Sequence, residues 1–319
     1  MDRRTLMRWA LGAAAAPVLA ACSPPLANFN VGTIVFPGYE FLHLASEMGL
    51  YKDRGIRLVE MLSSTDNLRV LATGRVQAAT LTIDEVMTAR AEGLDLRVVL
   101  VFDVSAGADA VMARTSITHM RELAGRKIGV EDSAMGVVMF DALLAAAGLK
   151  IDQVVKVPMT ADQSLSTYDS GKVDALVTFE PWVSQLEARG ARRLFDSASV
   201  PERIVDVLAV HADAIEPHAA AIKSLVDGHF AARRRFLADP AASAQMAARL
   251  QMPAAEVPQA FRGLVLPDAP ENLKILRSGG RFDQAVQELQ KVLLANGVLR
   301  RAVPTTDLVD TRFLTATGA

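Results

Sequence analysis

From residue 31 onward the chain repeats one arrangement: a short apolar run, a loop of small or acidic residues, an amphipathic segment, and a glycine. The apolar run 31–36 leads into Pro37-Gly38-Tyr39-Glu40, a helix from about Phe41, and a stop at Gly49. The run 56–61 leads through Ser63-Ser64-Thr65-Asp66 to a helix ending at Gly74, and 78–81 leads through Thr82-Ile83-Asp84-Glu85 to one ending at Gly93. A fourth run covers 97–102. The same grammar then restarts at 127–130, followed by Glu131-Asp132-Ser133-Ala134 and a helix to Gly148. After it come the run 154–157, a helix stopping near Gly171, the run 175–178, Phe179-Glu180-Pro181-Trp182, and a helix to Gly190. Glycine just past a periodic apolar segment marks a helix end. Strands alternating with short helices predict an α/β fold with largely parallel pairing. A last apolar run, 204–210, precedes a helical tail in which Phe282, Val286, Leu289 and Leu293 share one face.

Two similar modules followed by a tail belonging to neither imply two crossings, near 103–109 and 197–205. A discontinuous first lobe (29–107 plus 205–319) would then be joined to a second lobe (108–204) by a double-stranded hinge, a geometry that permits closure. On the tail, Arg233-Arg234-Arg235 reads either as a solvated face or as a docking contact.

The amino terminus follows another pattern. Arg3, Arg4 and Arg8 precede a small-residue apolar stretch too short to cross a hydrocarbon core of ~30 Å, so residues 1–21 read as an export signal. Leu19-Ala20-Ala21-Cys22 resembles a bacterial lipobox, which implies lipidation of Cys22 and a polar tether over 22–28. Arg3-Arg4 also fits a twin-arginine signal. Loss of this segment would remove three arginines and one aspartate, moving the net charge from -2 to about -4. The 319 residues contain one cysteine, which excludes a disulfide framework and a multi-thiolate metal site, and the charge gives no basic footprint for nucleic acid.

Phe36-Pro37-Gly38-Tyr39 and the run from Ala45 to Leu58, with Gly49-Leu50-Tyr51-Lys52 before a strand, resemble the opening of type II solute-binding proteins. The likeness is to the nitrate/sulfonate/taurine branch, which includes binders of thiamine-pyrimidine precursors. Gly74-Arg75-Val76-Gln77-Ala78-Ala79, the run from Leu123 to Val130, and Gly171-Lys172-Val173-Asp174-Ala175-Leu176 fit the same pattern, so the resemblance covers about 29–300. It implies a two-lobe fold with mixed sheets and a periplasmic, lipid-anchored receptor, monomeric and without cofactor. Such a receptor hands a small molecule to an ABC permease and its ATPase. Two departures stand out. The loop from Glu131 to Gly136 is more acidic than the Ser/Thr/Gly loops of sulfonate binders, and no Asn-x-x-His follows the first strand.

In open α/β sheets the ligand sits off the carboxyl ends of the strands. That places Tyr39, Glu40, Ser64, Thr65, Asp84, Glu85, Ser133, Ala134, Glu180 and Trp182 at the candidate site. Each loop precedes a helix, so free N–H groups and the dipole suit an anion, while Ser and Thr at such places also serve as ordinary N-caps. The loops carry Glu40, Asp66, Asp84, Glu85, Glu131, Asp132 and Glu180 but neither Lys nor Arg. A receptor for a strongly hydrated anion would offer arginine forks or lysine. This balance favours a nitrogen-containing organic solute, either an amino-heterocycle such as a pyrimidine or an aminosulfonate. Glu180 is the first choice for an amine partner and Asp84 the second, with Tyr39, Phe179 and Trp182 supplying aromatic surface.

Catalytic signatures such as G-x-S-x-G, a Walker loop or H-E-x-x-H are absent from the sequence. His43, among apolar neighbours, reads as structural. With Cys22 committed to lipid no thiol nucleophile remains, so the expectation is a non-enzyme without a metal site. The alternatives are a ligand sensor on the same fold, a receptor for a simple anion or alkanesulfonate, and a pyrimidine-synthase-like enzyme.

Overall fold

The computed structural model describes residues 28–315, which form two sheets wrapped by helices. The first repeat folds as β1 (Phe29–Thr33), α1 (Glu40–Glu47), β2 (Ile56–Glu60), α2 (Ser64–Ala72), β3 (Ala78–Thr82), α3 (Ile83–Ala91) and β4 (Leu96–Ser105). The second gives β5 (Asp109–Ala113), β6 (Lys127–Val130), α4 (Ala134–Ala147), β7 (Val155–Pro158), α5 (Ser164–Asp169), β8 (Ala175–Phe179), α6 (Trp182–Ala188) and β9 (Arg192–Asp196). Then follow β10 (Val205–His211), α7 (Ala212–Ile215), α8 (Ala219–Ala238), α9 (Ala242–Ala247), α10 (Val257–Ala260), β11 (Leu264–Val265), α11 (Ala269–Ile275) and α12 (Arg281–Ala295). Cys22, the export signal and the tether up to residue 27 lie outside the described residues.

The first sheet has strand order β11-β4-β10-β3-β1-β2 and draws on both ends of the chain, whereas the second, β7-β6-β8-β5-β9, is built from one continuous stretch. Pairing is mixed, not largely parallel. β1 runs parallel to β2 and β3, and β6 runs parallel to β7 and β8. β10 opposes both β3 and β4, and β5 opposes both β8 and β9. The reversed strands are those that flank the crossings, where the chain passes from one sheet to the other without a helical return. β5, β9 and β11 were not anticipated. β5 follows the first crossing directly, and β9 opens on Arg192 and Arg193 as an edge strand whose charges mask the β pattern.

The sheets are joined by residues 106–108 and 197–204, and side chains tie these segments together. Ser105 and Ser197 share a hydroxyl hydrogen bond of 2.7 Å, and the Gly107 N–H donates to Ser197 Oγ at 2.7 Å. A third segment joins them, because the Ala106 N–H donates to the Gly263 carbonyl at 2.6 Å. Gly263 (φ +81°) permits this approach, since a Cβ there would stand 2.6 Å from the Ala108 nitrogen.

The tail presents the expected apolar face, with Phe282, Val286, Leu289 and Leu293 all buried. Each contributes roughly 1.5–3 kcal/mol by burial. α12 packs on both α3 and α4, so the tail bridges the two halves and is not confined to the first. Among the described residues, no helix is long and apolar enough to cross a membrane.

Candidate ligand-binding crevice

The strand ends of the two sheets face one another across a crevice with two compartments. The inner one, about 20 Å³, is lined by Phe36, Tyr39, Ser64 and Asp206 from the first half and by Asp109 and Phe179 from the second. Its aromatic rings pack edge to face, Phe36 lying 5.0 Å from Tyr39 and 5.7 Å from Phe179. The outer one, about 220 Å³, is bounded by Ser64, Thr65 and Glu85 on one side and by Ser133 and Ala134 on the other, with Val298 of the tail closing it. Neither compartment is lined by Lys, Arg or His.

The floor is a line of carboxyl groups. On adjacent strands Asp103, Asp206 and Thr82 are successive cross-strand partners. The Tyr39 hydroxyl donates a short hydrogen bond to Asp206 Oδ1. Asp103 presses on the Pro37–Tyr39 turn, where a Cβ on Gly38 would stand 1.9 Å from its Oδ2, so only glycine fits. Neither oxygen of Asp103 nor of Asp84 has a hydrogen-bond partner, nor has Asp109 Oδ2 or Glu85 Oε1. All four residues are at most 3% exposed.

Burial without a cation raises every one of these groups. Desolvation pushes Asp84 up to about 7 and Glu85 to about 8, with Asp109 adding to the first and Asp84 to the second. Asp109 is raised to about 6 by burial. Asp103 and Asp206 rise well above the ordinary carboxylate range through burial, and each lies in the field of Asp109. Asp103 faces Asp206 across the β4–β10 pairing, and its charge adds to the rise of Asp206.

At the outer compartment Glu131, at the end of β6, reaches across the crevice to the first turn of α2. Its Oε1 accepts from the Thr65 N–H at 3.3 Å and from the Thr65 hydroxyl at 3.1 Å. The other hydroxyls there act locally. Ser63, not Ser64, caps α2 by accepting from the Asp66 N–H (3.1 Å), and Ser133 caps α4 by accepting from the Gly136 N–H (3.1 Å).

Of the ten expected site residues, the structure brings seven to or beside this crevice: Tyr39, Ser64, Thr65, Asp84, Glu85, Ser133 and Ala134. The other three are placed elsewhere. Glu40 is fully buried in an ion pair with Arg249 (2.9 Å), which also bridges to Glu60 (2.5 Å), because α1 turns its first residue toward α9 and the following loop. Glu180 has both oxygens engaged within α6, by the Ser184 N–H (3.0 Å) and hydroxyl (2.9 Å). Burial still raises it to about 7. Trp182 is packed in the core at the start of α6, and Phe179 supplies the crevice aromatic instead. Asp103, Asp109 and Asp206 were missed as site residues. Their signal was a lone acid inside or beside an apolar β run, as in 96–105 and 205–211. His43 is lowered to about 3 by burial and then by Arg249, so it stays neutral as a structural side chain.

Two sheets, one drawn from both chain ends, with a crevice off their strand ends, define the type II periplasmic binding-protein fold. Solved structures agree. The alkanesulfonate-binding protein SsuA from Xanthomonas axonopodis pv. citri, bound to MOPS, superposes with a TM-score of 0.75 at 17% identity, covering 91% of this chain and 100% of its own. The aliphatic sulphonate binding protein SsuA from Escherichia coli gives 0.69 at 19% identity, covering 90% and 96%. The desulfurization enzyme DszB shares the fold at a TM-score of 0.61 and 23% identity, covering 90% and 97%.

Residues 23–251 match the NMT1-like family, and the chain belongs to it. The taurine-binding periplasmic protein of Escherichia coli (strain K12) is 25% identical over 181 residues, 56% of each chain. The match thus spans little more than half the length of that relative.

Proposed function

We propose that this protein is the extracytoplasmic solute-binding component of an ABC importer, anchored through a lipid on Cys22. In this reading it captures a small nitrogen-containing organic solute, an amino-heterocycle or an aminosulfonate, by closing the 29–107/205–319 lobe on the 108–204 lobe. The observation that carries the reading is the crevice itself: unpartnered carboxyl oxygens and aromatic rings from both halves line its two compartments, and neither is lined by a basic residue. The solute contacts both lobes and therefore favours the closed arrangement by its differential affinity for it. The crossings at 106–108 and 197–204 form the hinge. The taurine- and sulfonate-binding names of similar proteins support transport of a small solute and favour, as a second reading, an alkanesulfonate ligand. Binding without chemistry is the role proposed here, although one protein of the same fold is an enzyme.

A thermal-shift screen of the chain against amines, aminopyrimidines, sulfonates, nitrate and amino acids tests this. A saturable rise in Tm with one class is the expected result. Conversion of any of these compounds to product, or silence across all of them, would contradict it.

A further inference from the structure

The two halves meet with acids on both faces. The first half brings Asp84 and Glu85 of α3, Asp103 of β4 and Asp206 of β10, and the second brings Asp109 of β5 and Glu131 just after β6. Asp206 and Asp109 line the inner compartment from opposite halves. Glu85 lines the outer one, where Glu131 reaches across. The charge of Asp109 raises Asp84, Asp103 and Asp206, and that of Glu131 raises Glu85, so these like-charge effects run from one half to the other. All of these carboxyls except Asp206 keep at least one oxygen without a hydrogen-bond partner. Asp103, Asp109 and Asp206 also flank the crossings at 106–108 and 197–204, which puts their repulsion at the hinge. The cations nearby are committed elsewhere. Lys156 pairs with Asp132 (2.5 Å), and Arg69 with Asp66 (2.8 Å). Arg193 of β9 reaches the Gly107 carbonyl (2.6 Å) but pairs with Glu187 (3.0 Å) and Asp196 (3.6 Å). The other titratable groups facing the cluster are Tyr39, which donates its hydroxyl to Asp206, and Asp162, whose charge adds to the rise of Glu131. Two links oppose the repulsion: the Thr65 N–H and hydroxyl donate to Glu131, and Gln185 donates to the Leu250 carbonyl at 3.3 Å.

We propose that the hinge is proton-gated: the unliganded halves stand closed in acid and part as pH rises through neutrality, and Asp109 is the carboxyl on which the opening force converges. Closed, the acids face one another in a poorly solvated gap and favour their protonated forms. Parted, Glu85, Asp109, Glu131 and Asp206 regain water and ionise in the ordinary range near 4. The closed arrangement therefore holds more protons than the open one. Its advantage is present in acid and is lost as pH rises through about 6 to 8, the values reached by Asp109, Asp84 and Glu85 in the closed form. The gate rests on the two-lobe closure described above and not on the identity of the solute.

Small-angle X-ray scattering of the full chain from about pH 5 to pH 8 at fixed ionic strength tests this, first without solute and then with an excess of taurine or butane-1,4-diamine. The radius of gyration without solute is expected to grow as pH rises, with its midpoint between about pH 6 and pH 8. Asp109→Asn is expected to keep the compact form up to pH 8, and Glu85→Gln to move the midpoint upward by less. Asp169→Asn, an exposed acid of the second half, is expected to leave the profile alone. A radius that ignores pH, or that shrinks as pH rises, overturns the proposal. A wild-type profile in Asp109→Asn overturns the role of Asp109, and should that variant not fold, a wild-type profile in Glu85→Gln overturns the assignment to the crevice acids. A wild type that ignores pH but contracts with taurine or butane-1,4-diamine loses the gate and keeps the receptor reading. One that responds to neither loses hinge closure as well.

Discussion

Two groups of buried carboxyls in this molecule differ in one respect. Glu40 has no solvent exposure, and Arg249 lies against it. Asp84, Asp103, Asp109 and Asp206 are as deeply buried, with each other, the Thr82, Ser105 and Tyr39 hydroxyls and no cation beside them. A buried carboxyl with a fixed cation against it is part of the scaffold, although burial outweighs Arg249 and raises Glu40 to about 7 as well. One left without a counter-charge keeps its proton or waits for a cation. The contrast separates structure from site more cleanly than position along the strands, since Glu40 and Asp84 both sit at a helix start after a strand.

The largest effect that breaks the comparison is on the paired side. Arg249→Met leaves Glu40 buried alone and is expected to cost about 3 kcal/mol in urea unfolding, with solute affinity unchanged. A loss below half of that, or a change in affinity, would place Arg249 with the site. On the unpaired side the sign reverses. Asp206→Asn removes a charge from a like-charged cluster and is expected to stabilise the unliganded protein by on the order of 1 kcal/mol near pH 8, while weakening solute binding at least tenfold. Destabilisation together with intact binding would show that the carboxyl is structural.

The same groups give a pH dependence of stated sign. Asp84, Glu85 and Asp109 have folded values of about 7, 8 and 6, above their ordinary range near 4, so the folded state holds more protons across that window. Their contribution is fully present below about pH 4 and is lost as pH rises through 6 to 8. Glu131, Asp103 and Asp206, which face them, are shifted upward too, as are Glu40 and Glu180 (both to about 7) away from the crevice, and all add in the same direction. The unliganded Tm should therefore fall between pH 5 and pH 8, and a bound cation should flatten the fall. A Tm that rises over that range would rule this out. The smallest effect concerns Glu180. Glu180→Gln loosens the cap on α6 and should cost about 1 kcal/mol, with solute affinity within twofold of wild type; a tenfold loss of affinity would return Glu180 to the crevice.

Much of this was legible in the residues, for identifiable reasons. The glycine stops and apolar runs gave the repeated strand and helix order, because both signals are local. Tyr39, Ser64, Thr65 and Glu85 were singled out because they occupy turns at strand ends, where the fold puts its openings, and the structure places them at the crevice. Glu40 and Glu180 occupy the same turns but are claimed by Arg249, 209 residues away, and by Ser184, one helical turn on. Side-chain direction at a helix start is decided by such partners, and spacing does not reveal it. Asp103 and Asp206 were hidden for the opposite reason. They sit inside runs that read as buried strand, and only the antiparallel β4–β10 pairing sets them side by side.

The most direct test of the central claim, that the partner-free carboxyls receive the positive end of the solute, is proton release on binding. Titrating the chain at pH 7 with an amine that stays protonated between pH 6 and pH 8, such as taurine or butane-1,4-diamine, in two buffers of different ionisation enthalpy gives the number of protons exchanged. Binding that expels protons, and that is tighter at pH 8 than at pH 6, is the predicted result. Proton uptake, or affinity that falls as pH rises, would contradict it.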